Sequence, residues 1–260
     1  MRVFIINLEK DSERRLSILQ QCKDLNIEAE IIPAVDGRTL SHNELEKITH
    51  PSYVAGLTPS EIGCSLSHLK IYKKMANENI EKALILEDDA LLKVDLVKIV
   101  EWYNNIENKS EEVILLSEVN KYFTKPIQKI NEDYHLVDVA EAALTHCYLL
   151  NKKAAIKLLE FLTPVWLEAD RWTFIREYSV VSLKAIVPPV GLQSTLSENS
   201  TIWYDQEQIE KRKEFEKSRS ITLRKIKKER PLSLKVRIFL WRTTKRKFKK
   251  ITIGRIESHT

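Results

Sequence analysis

The sequence predicts an α/β fold: a mostly parallel sheet flanked by helices. Three observations predict it. Short apolar runs without alternation, at Val3 to Asn7, Lys82 to Leu86 and Val113 to Leu116, read as strands buried on both faces. Segments with helical caps and helical spacing fall between them. One strand ends abruptly in Glu87, Asp88 and Asp89, and ligands of open α/β sheets bind beyond the carboxyl ends of strands. A globular chain of 260 residues, 43% hydrophobic and 30% charged, can bury a sizeable core.

The elements follow in order. Val3 to Asn7 is the first strand, and Asp11 or Ser12 opens a helix to about Leu25 with Leu16, Leu19 and Leu25 on its apolar stripe. Ala29 to Ile32 is a second strand, stopped by Pro33, and the turn 34–37 offers Gly37 for a positive φ. Residues 41–57 are weakly patterned. Thr58-Pro59-Ser60-Glu61 is a capping box with proline at the first helical position, opening a helix to about Ala76. Ser60, Gly63 and Ser67 form a small stripe on that helix, suited to close approach. After the strand 82–86 and the strand 113–116, residues 118–138 read as irregular or hairpin structure. Ala143 to Leu150 is strand-like, and Asn151 caps a helix from Lys152 to Leu162. Trp166 to Tyr178 reads as helical with Asp170 in its first half, and Val180 to Val187 as a strand stopped by Pro188-Pro189.

Composition excludes several function classes. The five glycines are too far apart for a G-x-G-x-x-G or a P-loop. Three scattered cysteines, Cys22, Cys64 and Cys147, make neither a disulfide framework nor a Cys-rich zinc site and read as reduced, partly buried thiols. No run of 18 apolar residues occurs, and the apolar start is too short for a signal peptide, so a cytoplasmic location is expected. Charge is uneven. From Lys211 to Lys250 there are 18 Lys and Arg against three Glu, while the remainder holds 24 basic and 34 acidic residues. A basic tail interrupted by Ile238-Phe239-Leu240-Trp241 suits an anionic membrane surface. Nucleic acid or plain solvation are the other readings, and the acidic body argues against a broad nucleic-acid surface.

The acids at 87–89 carry the chemistry. Three adjacent carboxylates repel one another unless a cation or donors compensate. An oxygen-only cluster suits Mg²⁺ or Mn²⁺, with substrate phosphates completing the shell. In extended backbone Glu87 and Asp89 share one side and Asp88 takes the other. A solvated strand end and a metal-dependent phosphoryl or nucleotidyl transferase remain open on these residues alone.

The motifs VFIINLEKDSERR (3–15), PAVDG (33–37), LTPSEIGCSLSHL (57–69), ALILEDDALL (83–92), LTHCYLLNKKAA (144–155) and VGLQSTLSENSTI (190–202) resemble glycosyltransferase family 25, of the lipooligosaccharide galactosyltransferase type. The resemblance spans about 1–205, leaving 206–260 as a basic, amphipathic tail. It implies a GT-A-like fold with a Rossmann-like sheet, a divalent metal, Mn²⁺ or Mg²⁺, a UDP-sugar donor such as UDP-galactose, inversion at the anomeric carbon, and a lipid-linked oligosaccharide acceptor. The tail would then hold the enzyme on the inner face of the cytoplasmic membrane. Carried onto this sequence, Asp89 and Glu87 become the metal residues. Asn7, Arg14, Ser67, His68, Asp88, Thr145 and His146 become donor-binding candidates, with a packed histidine at 68 and a surface arginine at 14 as alternatives. Asp170, flanked by Trp166 and Trp172, is the candidate base and Glu168 its understudy. A salt bridge from Asp170 to Arg171 or Arg176 is the competing assignment.

Overall fold

β1 (Arg2–Asn7) buries both faces: Val3 and Ile5 point one way, Phe4 and Ile6 the other. It pairs in parallel with β2 (Glu30–Pro33) and with β3 (Lys82–Glu87). β2 lies at the sheet edge, which is why its last residue can be Pro33: the missing N–H breaks no ladder bond there. The structure, a computed structural model, describes residues 1–107, 110–194 and 206–254. β9 (Cys147–Asn151) runs antiparallel between β3 and β5 (Glu112–Leu115), and β10 (Ser182–Val187) is parallel to β5. Five of the six central strands therefore run one way, and β9 is the exception. Beyond β10 the sheet turns antiparallel through β8 (His135–Glu141), β6 (Lys121–Phe123) and β12 (Ile251–Ile253), with β7 (Gln128–Lys129) also on β8.

Helices cover both faces, as continuous apolar strands require. On one side α3 (Pro59–Asn77) and α5 (Lys152–Leu162) bring Ile71, Tyr72, Met75 and Leu158 against Phe4, Ile85 and Tyr148. On the other, α1 (Ser12–Asp24) and α4 (Leu96–Asn105) bring Ile18, Cys22, Ile99 and Tyr103 against Ile5, Leu84 and Leu86. The caps are as the sequence requires. Thr58 and Glu61 form a reciprocal capping box on α3, and the Asn151 side chain accepts from the Ala154 N–H on α5. The weakly patterned stretch holds α2 (His42–Ile48), which has its own Ser41/Glu44 box.

Four local expectations are corrected. Gly37 opens a short 3-10 turn (Gly37–Thr39), and no glycine among the described residues has a positive φ. It is needed for close packing: a Cβ there would stand 1.8 Å from the Pro59 carbonyl oxygen. The expected helix 166–178 shrinks to α6 (Trp172–Glu177). Its first part is held in irregular backbone, because Ser65 Oγ donates to the Leu167 carbonyl and accepts from the Ala169 N–H, while Val165 bridges Thr49. Asp170 is therefore on a loop. The expected strand from 143 starts only at Cys147, since Leu144 takes φ 77° and leaves the extended region. Cys22 and Cys147 are buried but Cys64 is exposed.

The basic C-terminal segment is docked on the body. It comprises α7 (Gln206–Glu229), α8 (Leu232–Thr243), α9 (Lys245–Phe248) and β12. Thr222 packs on Gly56, where a Cβ would lie 2.9 Å from its methyl carbon, and Ser218 donates to the Ala55 carbonyl at 2.8 Å. Ile226 joins the main core, and buried Arg230 pairs with Glu177 at 2.7 Å. Opposite charges on segment and body thus meet at specific pairs. The 205/206 boundary and the 190–202 motif from 195 onward lie outside the described residues. Among those described, no helix is long and apolar enough to cross a membrane.

Candidate active site

β3 delivers Glu87 to the carboxyl edge of the sheet. Asp88 and Asp89 then form the tight turn into β4 (Ala90–Leu92), which pairs with β11 (Gly191–Gln193). The turn cancels the alternation expected of an extended chain. Asp88 and Asp89 share one partner: Arg14 Nη2 lies 3.1 Å from Asp88 Oδ1 and 3.2 Å from Asp89 Oδ2. Asn7 Nδ2 donates to Asp88 Oδ2 at 2.7 Å, and Gln193 Nε2 donates to Asp89 Oδ2 at 3.1 Å. Glu87 faces elsewhere. Its Oε1 accepts from the Thr145 hydroxyl and lies 3.2 Å from His68 Nε2, and its backbone N–H donates to the His146 carbonyl. His68 is fully buried and braced by the Tyr148 hydroxyl at 2.8 Å from Nδ1, so it positions Glu87 from within the wall of the Arg14 and Asp88 cavity.

The electrostatics separate these acids. Burial opposes ionisation of Glu87, but its bonds to His68 and Thr145 outweigh that and hold it below the usual carboxylate value. Burial pushes Asp88 up to about 6, against the Asn7 hydrogen bond and the Arg14 charge. Burial and then the Glu87 charge raise Asp89.

Two cavities meet at Glu87 and Cys64. One, about 180 Å³, is lined by Arg14, Asp36, Arg38, Ser60 and Asp88 among others. The second, about 290 Å³, holds Thr145, His146, Glu168, Asp170 and Arg171. In it Glu168 pairs with Arg171 at 2.7 Å and Glu61 with Arg219 at 2.5 Å. Asp170 has no cation at ion-pair distance among the described residues; neither the Arg171 nor the Arg176 pairing forms. Its surroundings push it up to about 6, chiefly through burial, with Arg171 opposing and Glu168, Glu87 and Glu61 adding to the rise. Cys64 opens onto both cavities, and its thiol is raised well above its ordinary value by desolvation and then by Glu87.

Several sequence candidates sit differently from expectation. Glu87 and Asp89 engage separate side-chain partners, Thr145 and His68 for Glu87 and Gln193 and Arg14 for Asp89. Ser67 Oγ accepts from the Val35 N–H and donates to the Gly63 carbonyl, which spends it on closing the 34–37 turn against α3. Thr145 and His146 stand on the loop before β9. Trp172 is wholly buried with its N–H on the Leu144 carbonyl, and Trp166 packs edge-to-face with Phe161 and Tyr178, so neither ring flanks Asp170 in the cavity. Residues that sequence reasoning missed are Gln193, visible only inside the VGLQ motif, and Arg219, one of many basic residues with no local signal.

Fold and site together define an α/β chain with two adjoining cavities at the carboxyl edge of its central sheet, one of them bordered by Asp88 of the acidic turn. A family profile described as "Glycosyltransferase family 25 (LPS biosynthesis protein)" matches residues 1–173, and the chain belongs to that family. A glycosyltransferase 25 family member of Aedes aegypti is 40% identical over 95 residues, covering 34% of this chain and 16% of that protein. Procollagen galactosyltransferase 2 of Homo sapiens is 27% identical over 168 residues, covering 60% of this chain and 27% of that protein. The chain thus spans well under half the length of these curated relatives. A protein of Mus musculus named "Inactive glycosyltransferase 25 family member 3" is 33% identical over 99 residues, covering 35% of this chain and 17% of its own. Among solved structures, a putative glucose-1-phosphate thymidylyltransferase from Bacillus anthracis has a TM-score of 0.40 at 12% identity, covering 80% of this chain and 98% of its own.

Proposed function

We propose that the chain transfers galactose from UDP-galactose, with inversion, to a hydroxyl of a lipooligosaccharide-type glycan. The observation carrying this proposal is Asp170, a carboxylate without a cation partner among the described residues, in a cavity that meets the acidic turn's cavity at Glu87. The nucleotide diphosphate occupies the cavity of Arg14, Arg38 and Asp88, and the acceptor occupies that of Asp170. Asp170 takes the proton of the attacking hydroxyl as the new glycosidic bond forms. The bond from the sugar to the β-phosphate breaks, and UDP leaves with the electron pair.

Asp88 and Asp89 are the residues that would hold a divalent cation. They fit one on their own chemistry: both are hard oxygen donors, and Asp89 Oδ1 is buried with no hydrogen bond. A Mn²⁺ or Mg²⁺ ion held there would supply Lewis-acid stabilisation of the leaving diphosphate. Glu87, held by His68 and Thr145, fixes the strand end from which the turn departs.

The test is a donor screen with UDP-galactose, UDP-glucose, UDP-N-acetylglucosamine and UDP-N-acetylgalactosamine. Each is run with Mn²⁺ or EDTA, and transfer to lipooligosaccharide is followed. Asp170→Asn should lower turnover about 100-fold or more while UDP affinity stays unchanged. Full turnover in that variant removes Asp170 from the role.

A further inference from the structure

Helix α8 is apolar on both faces. Leu234 and Ile238 are buried, and Trp241 lies against Phe123 with the Arg176 guanidinium 3.8 Å above its ring. Half of the Ile238-to-Trp241 insert is therefore used to dock the helix. The opposite face carries Leu232, Val236, Phe239 and Leu240, spaced as one helical arc and exposed at 76%, 49%, 64% and 51%. Phe248, in the following short helix, is 80% exposed. Lys235 and Arg242 lie along one flank of the arc and Arg237 along the other, followed by Lys245, Lys247, Lys249 and Lys250, all exposed. No Asp or Glu occurs from 230 to 250.

We propose that this arc docks on an anionic lipid bilayer, with α8 lying along the surface. Leu232, Val236, Phe239, Leu240 and Phe248 enter the headgroup boundary, and the surrounding Lys and Arg meet lipid phosphates. Charge complementarity and aliphatic content select this occupant together. A nucleic acid would reward the cations and the two aromatic rings but gains nothing from Leu232, Val236 and Leu240. Protein interfaces are depleted in lysine, which crowds this arc. A bilayer interface rewards both the apolar side chains and each nearby cation. The docking surface is separate from both cavities, so it stands or falls independently of the transferase proposal.

Deleting the segment is a poor test, because Ile226, Leu234 and Ile238 are buried in the body. Point changes on the exposed arc avoid that. The full chain is sedimented with vesicles of phosphatidylcholine alone, or of phosphatidylcholine with about one third phosphatidylglycerol. Binding is expected only to the anionic vesicles and should weaken as salt is added. Val236→Ser, Phe239→Ser and Leu240→Ser combined should weaken it about 10-fold or more with an unchanged thermal midpoint. Lys235→Glu with Lys247→Glu should do the same on anionic vesicles alone. The proposal is overturned if the wild-type chain stays in the supernatant or binds both vesicle types equally. It is overturned too if the triple variant binds like wild type, or if the chain ignores vesicles but binds a single-stranded oligonucleotide through the same lysines.

Discussion

Arg219 and Glu61 are 158 residues apart in sequence and in contact in the fold. Arg219 Nη2 lies 2.5 and 2.6 Å from the two carboxylate oxygens of Glu61. Glu61 also closes the capping box of α3, accepting from the Thr58 N–H at 2.8 Å. Arg219 Nη1 stands 3.9 Å from Glu168, the neighbour of Asp170 that holds Arg171. A residue beyond the family-matched stretch 1–173 thus supplies one wall of the Asp170 cavity.

Arg219→Gln is therefore expected to lower turnover about 10-fold and to cost about 1 kcal/mol of stability, the pair being only partly buried. UDP affinity should not change. A double-mutant cycle with Glu61→Gln separates the pair from its surroundings, and a coupling energy near zero would show that the contact contributes nothing.

Gly63 faces the turn that Gly37 opens. A Cβ at 63 would stand 2.4 Å from the Val35 carbonyl oxygen and 2.5 Å from the Gly37 nitrogen, both backbone atoms that cannot swing away. Replacing glycine by alanine on an open helix surface stabilises by about 1 kcal/mol. Here overpacking reverses the sign, and Gly63→Ala should destabilise by about 2 kcal/mol or more in urea unfolding. It should also weaken nucleotide binding, since Asp36 and Arg38 line the Asp88 cavity. A more stable variant would mean that α3 and the turn separate at little cost.

The central strands and capped helices were legible because their signals are local: unbroken apolar runs, a Thr-x-x-Glu box, an Asn before a helical stripe. The acidic turn was legible for the same reason, since three adjacent carboxylates at a buried strand end demand compensation. The compensating groups were not. Arg14 resembled any helix-surface arginine, and His68 is committed to Glu87 and Tyr148, residues 19 and 80 positions away. The stretch 166–171 read as helix, but tertiary bonds from Ser65 to Leu167 and Ala169 override local propensity. The C-terminal segment read as an appendage because charge dominates its composition, and its docking rests on a few well-spaced residues such as Thr222, Ile226 and Ile238.

Asp170 gives a pH dependence of fixed sign. Its value is raised from 3.8 to about 6, so the ionised form is the costly one in the folded state. The folded chain binds the extra proton between about pH 4 and pH 6, and stability is lost as pH rises through that window. Asp170→Asn removes the ionisable group. It should raise the thermal midpoint at pH 7 to 8, by an amount worth about 3 kcal/mol at most, and the gain should vanish below about pH 4. The base role works oppositely on rate: wild-type kcat/KM should fall on the acid side of about pH 6. Equal midpoints at both pH values would place Asp170 in full contact with water.

Arg14 is the positive charge shared by Asp88 and Asp89. Burial raises both acids and Arg14 lowers both, so that guanidinium favours their ionised forms. In Arg14→Ala two adjacent, largely buried carboxylates lose their counter-charge. With EDTA at pH 7 to 8 the thermal midpoint should fall by about 3 °C or more. Acidification to about pH 5 should recover part of the loss, because protonation removes the repulsion as Asp88 passes its value of about 6. Mn²⁺ should recover it too and should bind the variant more tightly than wild type by calorimetry, since guanidinium and cation compete for the same oxygens. A variant that melts like wild type in EDTA and gains nothing from Mn²⁺ would show that Arg14 does not neutralise this turn.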